Sequence, residues 1–174
     1  MLIAKQKKNE NIAEYLLYMW QIEDIIRANE LDISLIRERI IDGFVQSDEV
    51  KKEIEAWYRN LIEMMRREGV QEQGHLQINT DVLAQLTDLH RKLLNNPQET
   101  NYISSYYKTL PFIVELRSKN PAQNLPEIET CFAALYGFLL LRVQQKEISG
   151  ETQAAVSQIS SFLRLLSKKY KEIE

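Results

Sequence analysis

The chain has 174 residues, a length that suits one domain able to bury roughly 70 % of the surface its unfolded form exposes. It carries 22 Lys and Arg against 25 Asp and Glu, a net charge of −3, with the two signs mixed along most of the chain. Nucleic-acid binding depends on clustered positive charge, so we predict no nucleic-acid partner. Five glycines and four prolines are too few for the many turns of an all-β domain, which favours long helices.

The single cysteine, Cys131, excludes an intrachain disulfide and fits a reducing compartment. The most apolar stretch, from Cys131 to Leu141, is shorter than the about 20 residues that span a bilayer. Near the start, Leu2, Ile3 and Ala4 precede the lysines, whereas a secretory signal places its charge before a longer apolar region. These features predict a cytoplasmic protein without a membrane partner.

The first half of the chain predicts three helices. Apolar residues at three- and four-residue steps mark a helix from near Asn9 to near Ala28. Asp32 is placed to cap a shorter second helix, which Gly43 ends. Ser47 is placed to cap a third helix, and Gly69 stands where a left-handed residue is expected at its end.

Four more helices are predicted after a loop from Gly69 to Asn79. The fourth is expected to be capped by Asn79 or Thr80 and to end near Leu94. The fifth covers about Gln98 to Ser118, and we expect a kink or break in it, because Pro111 removes one backbone hydrogen bond.

The sixth predicted helix opens at Pro126 and is apolar nearly all round from Cys131 to Leu141, a pattern typical of a central helix. Gly137 in its middle predicts the close approach of a neighbouring helix. Ser149 is placed to cap a seventh helix. Because every predicted element is a helix, we predict an all-α fold. No internal repeat or long connector is visible, so we expect a single helical domain over residues 1–174, a bundle of six or seven helices with mostly antiparallel neighbours.

The two histidines, His75 and His90, do not predict a metal site. Di-iron sites in helical bundles use paired Glu-x-x-His motifs on facing helices. Glu72 and His75 have that spacing, but Gly74 between them indicates a loop. A zinc site needs more Cys and His ligands than the chain offers. We therefore predict no metal and no cofactor.

Catalytic groups are equally hard to find in the sequence. Cys131 lies in the apolar segment, where a free cysteine is usually a small hydrophobic residue. Glu127 and Glu129 are two positions apart and face different ways on a helix, so we expect solvated or capping roles for them. No nucleophile elbow or phosphate-binding Gly-rich loop occurs. The sequence predicts no catalytic residue and favours a protein that is not an enzyme.

Three charged residues fall on otherwise apolar helical faces: Glu23, Glu115 and Arg142. A buried charge must be paired or hydrogen-bonded. Our hypothesis pairs Arg142 with Glu23 or Glu115 across the bundle. Two interpretations stay open. In the first, the group lines a small-ligand pocket together with Tyr15, Tyr106 or Tyr107. In the second, it is only structural: either the charges form an ion pair, or the charged ends reach the surface.

The histidines complete the set of candidate residues. His75 is a candidate for binding because loops often carry functional side chains, although a solvated loop histidine is the more common case. His90 lies at the edge of the apolar stripe of the fourth helix. We predict that it is the structural partner of a nearby polar group and not a ligand.

Four stretches of the chain resemble a known family: IAEYLLYMWQIED from Ile12 to Asp24, GHLQIN from Gly74 to Asn79, LPFIVELR from Leu110 to Arg117 and EIETCFAALYG from Glu127 to Gly137. The family is one of uncharacterised bacterial proteins, known only as a domain of unknown function. The resemblance covers nearly the whole chain and implies a bacterial cytoplasmic protein. It implies no activity, cofactor or catalytic residue.

Two functions of different classes remain. The first is a non-catalytic interaction or regulatory protein that uses its helical faces for self-association or for another protein. The second is a small-ligand-binding protein or enzyme with a polar pocket in the bundle core, built on Glu23, Glu115 and Arg142. A large exposed apolar patch would favour the first, and a concave pocket that holds the polar group would favour the second. We favour the first.

Overall fold

The computed structural model describes residues 2–119 and 125–173, except for the Leu2 side chain. Over these residues the chain forms eight α-helices and no strand: α1 Leu2–Glu10, α2 Ile12–Ala28, α3 Ile33–Ile36, α4 Asp48–Glu68, α5 Gln77–Leu94, α6 Thr100–Lys119, α7 Glu127–Val143 and α8 Gly150–Ile173. A π-helical turn, Arg37–Ile41, continues α3. The all-α class is confirmed. The helix count exceeds the predicted six or seven because Leu2–Glu10 forms a separate helix.

The chain divides into two compact units. Unit 1 comprises Met1–Glu10 and Glu14–Asp81, and unit 2 comprises Asn11–Ala13 and Val82–Glu174. The division falls within α2 and α5, so each of these helices contributes residues to both units. The single domain over residues 1–174 stays a prediction.

Unit 1 is built on the buried stripe of α2 and on α4. The predicted stripe is confirmed, since Leu16, Met19, Ile22 and Ile26 are at most 3 % exposed. Local caps set the helix ends as predicted. The Asp32 carboxylate accepts from the Ser34 N–H at 2.7 Å, and the Ser47 hydroxyl accepts from the Val50 N–H at 3.4 Å. Gly69 ends α4 in the left-handed region, with φ +73°.

The start of α5 differs from the prediction. The helix begins at Gln77, so Asn79 and Thr80 lie inside its first turn and do not cap it. The Thr80 hydroxyl donates to the Gln77 carbonyl instead. The Asn79 side chain, which local sequence rules assigned to the cap, forms a hydrogen bond with Glu23 of α2.

In unit 2, α6 packs against α7 and α8, and α7 packs against α8. No break occurs in α6, which runs through Pro111 to Lys119. The proline removes the bond to the Tyr107 carbonyl, but both residues are exposed, and water can satisfy that carbonyl. Of the two predicted outcomes, the break was wrong, because the solvent side of the helix tolerates the lost bond; the kink stays a prediction.

The prediction of a central α7 is wrong for its second half. Buried residues of α7 are confined to its start, at Ile128, Thr130, Cys131 and Phe132. From Ala133 onward the side chains are half-buried or exposed, and Val143 is 76 % exposed. A Cβ placed on Gly137 would meet nothing within 4 Å, so none of the described helices approaches closely there. An apolar helical face therefore remains uncovered in unit 2.

Candidate functional site

Glu23 is fully buried in unit 1 and accepts three hydrogen bonds. His75 Nδ1 lies 2.6 Å from Oε2, while the Leu76 N–H and the Asn79 side-chain amide donate to Oε1 at 2.9 and 2.6 Å. We call these residues, with Trp20, the Glu23 cluster. A buried carboxylate requires such donors, because leaving water without compensation is costly.

The Glu23 cluster holds the loop between α4 and α5 against α2. The His75 ring stacks on Trp20, with centroids 4.2 Å apart and planes at 11°. Arg27 adds a second clamp, since its guanidinium donates to the carbonyls of Val70 and Gly74. Sequence reasoning missed Asn79 and Trp20, because the contacts join residues more than 50 positions apart in the chain.

Unit 2 contains a second histidine–carboxylate cluster. His90 is 4 % exposed. Its Nδ1 lies 2.8 Å from the Tyr102 hydroxyl, and its Nε2 lies 3.4 Å from Glu127 Oε2. The Tyr106 hydroxyl donates to both Glu127 oxygens, at 3.1 and 3.0 Å. His90, Tyr102, Tyr106 and Glu127 form the His90 cluster, which confirms the prediction that His90 is the partner of nearby polar groups.

The environment determines the proton arrangement of the His90 cluster. Desolvation lowers the pKa of His90, and the neighbouring Glu127 opposes this only in part, so the neutral ring is favoured at neutral pH. The Glu127 carboxylate can only accept, which places the ring proton on Nε2 and leaves Nδ1 to accept from the Tyr102 hydroxyl. Burial raises the pKa of Tyr106 to about 12, so its hydroxyl stays protonated and donates.

Glu127 also faces a cavity of about 260 Å³ in unit 2. Its side chain is 29 % exposed, in contrast to the 5 % of His90. Arg91 and Arg117 line the same cavity, with Leu94 on its apolar side. The expectation of a solvated or capping Glu127 holds only in part: it lies in the first turn of α7 and is partly exposed, but a local rule does not see the tyrosine and histidine that hold it. We call this space the Glu127 cavity.

Unit 2 further carries an open groove of about 600 Å³ between α6, α7 and α8. Its walls are mostly apolar and include Phe112 and Leu116 from α6, Phe138 and Leu141 from α7, and Val156 from α8. The charged side chains of Glu115, Lys119 and Glu151 also line it. We call this feature the α6–α8 groove.

The sequence model of one protein family, the domain of unknown function DUF4924, matches residues 1–174. The chain belongs to this family. No curated protein and no solved structure matches the chain.

The four binding candidates occupy different places in this DUF4924 protein. Glu23 and His75 meet in unit 1, whereas Glu115 and Arg142 are both exposed in unit 2. Glu115 pairs with Lys119, and the Arg142 guanidinium lies 5.9 Å from the centre of the Phe138 ring. The hypothesis of a buried pair built on Arg142 is therefore wrong. The periodicity placed its Cα on an apolar stripe, but that stripe is not covered at the end of α7.

Cys131 is fully buried at the start of α7. Burial, with a smaller contribution from Glu127, raises the pKa of its thiol to about 12, so the thiol stays protonated at neutral pH. The interpretation as a small hydrophobic residue is confirmed. Among residues 2–119 and 125–173, no helix combines the length and the apolar character that crossing a membrane requires.

Proposed function

We propose that this DUF4924 protein is a non-catalytic interaction or regulatory protein of a bacterial cytoplasm, and that its α6–α8 groove binds an amphipathic helix of a protein partner. The observation that carries the proposal is the uncovered apolar face of α7 inside a concave groove. Contiguous exposed apolar surface of this kind is typical of interaction sites. The bacterial and cytoplasmic setting rests on the family resemblance and on the single cysteine, which excludes an intrachain disulfide.

A helix suits this groove better than an extended peptide. Strand addition needs an open sheet edge, and the described part of the chain has no strand. Small residues, Ala133, Ala134 and Gly137, lie along the α7 wall and let another backbone come near. The open segment Ala133–Leu141 is about 13 Å long at 1.5 Å per residue, so the partner should present apolar residues over roughly two to three turns.

Charge at the groove selects the polar side of the partner. The carboxylates of Glu115 and Glu151 face one ammonium, that of Lys119, so two negative charges against one positive leave a net charge of −1. The Lys119 ammonium pairs with Glu115, and its pKa is raised mainly by that bond and least by the field of Glu151. The partner helix should therefore carry a Lys or Arg beside its apolar stripe.

The test selects helical peptides from a displayed library against the full-length protein. We expect the selected peptides to carry apolar residues at i, i+3 or i+4, and i+7, together with a basic residue. Gly137→Trp should weaken their binding at least tenfold, because the indole would fill the open space above Gly137. Phe138→Glu should act in the same direction through an unpaired charge on the apolar wall.

Val143→Glu is the matched control, since Val143 is an exposed apolar residue of α7 that does not line the groove. Selected peptides that bind Gly137→Trp and Phe138→Glu as tightly as the parent would overturn the proposal. A parent protein that sediments as a dimer, with Gly137→Trp as a monomer, would replace the partner helix with a second copy of the chain.

A further inference from the structure

The Glu127 cavity differs from the α6–α8 groove in its chemistry. Its wall combines one carboxylate, from Glu127, with two guanidinium groups, from Arg91 and Arg117. Its volume of about 260 Å³ accommodates a small polar molecule.

The Glu127 carboxylate is held in place from the buried side. Tyr106 contacts both of its oxygens and His90 lies near one of them, so its position does not depend on a ligand. Two carboxylate oxygens offer about four acceptor sites, and these contacts leave acceptor capacity on the side towards the cavity. A preorganised acceptor of this kind suits a ligand that brings several N–H donors, such as an ammonium group.

The guanidinium groups of Arg91 and Arg117 provide the complementary charge, and both already interact with other groups of the chain. Arg91 is bonded to Asp88 at 3.2 Å, and both side chains are about two-thirds exposed, at 69 and 65 %. Such a surface pair is weak and exchanges readily for a better partner. Arginine matches the planar geometry of a carboxylate with two parallel hydrogen bonds. The cavity therefore offers recognition groups for both signs of charge.

We infer that the Glu127 cavity binds a small zwitterion of the amino-acid class, with its ammonium on Glu127 and its carboxylate on Arg91 and Arg117. A simple anion would pair with the arginines but leave the Glu127 carboxylate without a partner on the cavity side, and a divalent cation would meet repulsion from both arginines. The inference does not depend on the α6–α8 groove, whose lining residues are all different from those of the cavity.

The experiment is isothermal titration of the full-length protein with each of the twenty proteinogenic amino acids. We expect saturable binding of at least one of them. For that amino acid, the N-acetyl derivative removes the ammonium and the methyl ester removes the carboxylate, and each should bind at least tenfold more weakly. Glu127→Gln and Arg117→Gln should each weaken the binding of the unmodified amino acid to a similar degree.

Arg164→Gln serves as the matched control, because Arg164 is an exposed arginine of unit 2 that does not line the cavity. It should leave the affinity unchanged. The inference is overturned if none of the twenty amino acids binds, or if acetate or inorganic phosphate binds as tightly as the amino acid. It is also overturned if Arg117→Gln binds the amino acid as tightly as the unmodified protein does. The derivatives keep the test decisive even if Glu127→Gln fails to fold.

Discussion

The Glu23 cluster and the His90 cluster each join a histidine to a glutamate, yet their carboxylates serve different ends. Glu23 is fully buried, and both of its oxygens are engaged by donors from the α4–α5 loop and the start of α5. Glu127 is 29 % exposed and faces a cavity, while its partners hold it from behind. A carboxylate enclosed by donors stabilises a local fold, whereas one held at the edge of a cavity keeps capacity for a ligand.

The largest expected effect comes from removing the enclosed carboxylate. Glu23→Ala should reduce the free energy of unfolding by roughly 3–5 kcal/mol, because it leaves two buried donors, of Leu76 and Asn79, and the half-buried His75 ring without an acceptor. Urea denaturation would measure this loss. Tryptophan fluorescence in a Trp57→Phe background would show whether His75 leaves Trp20.

Glu127→Ala is the matched variant for this comparison. Its donors can reach water through the cavity, so the expected loss is only roughly 1–2 kcal/mol. Glu23→Gln should fall between the two, since it retains one acceptor oxygen of the same shape. Equal losses for the two alanine variants would contradict the distinction between the clusters.

A smaller effect is expected from pH, through His90. Folding lowers the pKa of His90, and desolvation is the main cause. At a pH between the pKa in the folded state and the pKa in the unfolded state, the unfolded chain therefore binds more protons. The corresponding stability is present above pH of about 6.5, the usual histidine value, and is lost as the pH falls. The slope from this one group cannot exceed about 1.4 kcal/mol per pH unit.

Nuclear magnetic resonance gives the direct measurement, since the chain has two histidines and His75→Gln identifies the His90 signal. We expect this signal to titrate below pH of about 6.5. A midpoint at or above that pH would show that Glu127 outweighs burial, and the His90 ring would then not be mainly neutral just below neutral pH.

The smallest effect is expected at the charged residue that lies in neither cluster. Arg142 is exposed and its described contact is with the Phe138 ring, so Arg142→Ala should change the free energy of unfolding by less than about 0.5 kcal/mol. Thermal unfolding would check this. A loss of unfolding free energy as large as that of Glu127→Ala would show that Arg142 has a structural role. The contrast between enclosed and exposed charges would then be wrong.

Particular residues show how far the sequence could be interpreted. Asp32, Ser47, Gly69 and Ser149 were placed correctly at helix ends, because a cap acts over one turn and its signal is local. Asn79 failed as a cap, since a tertiary acceptor, Glu23, outcompeted the local one. Glu127 was partly misjudged for the same reason, as its partners come from two other helices.

The sequence by itself determined the all-α class, most helix ends and the buried stripe of α2, because these follow from residue spacing over one or two turns. Only the tertiary structure decided which face of α7 is uncovered, that Glu23 meets His75, and that Glu127 lies at a cavity with two arginines. These outcomes depend on which helices become neighbours. Helical periodicity tells which side chains share a face, but it does not tell what covers that face.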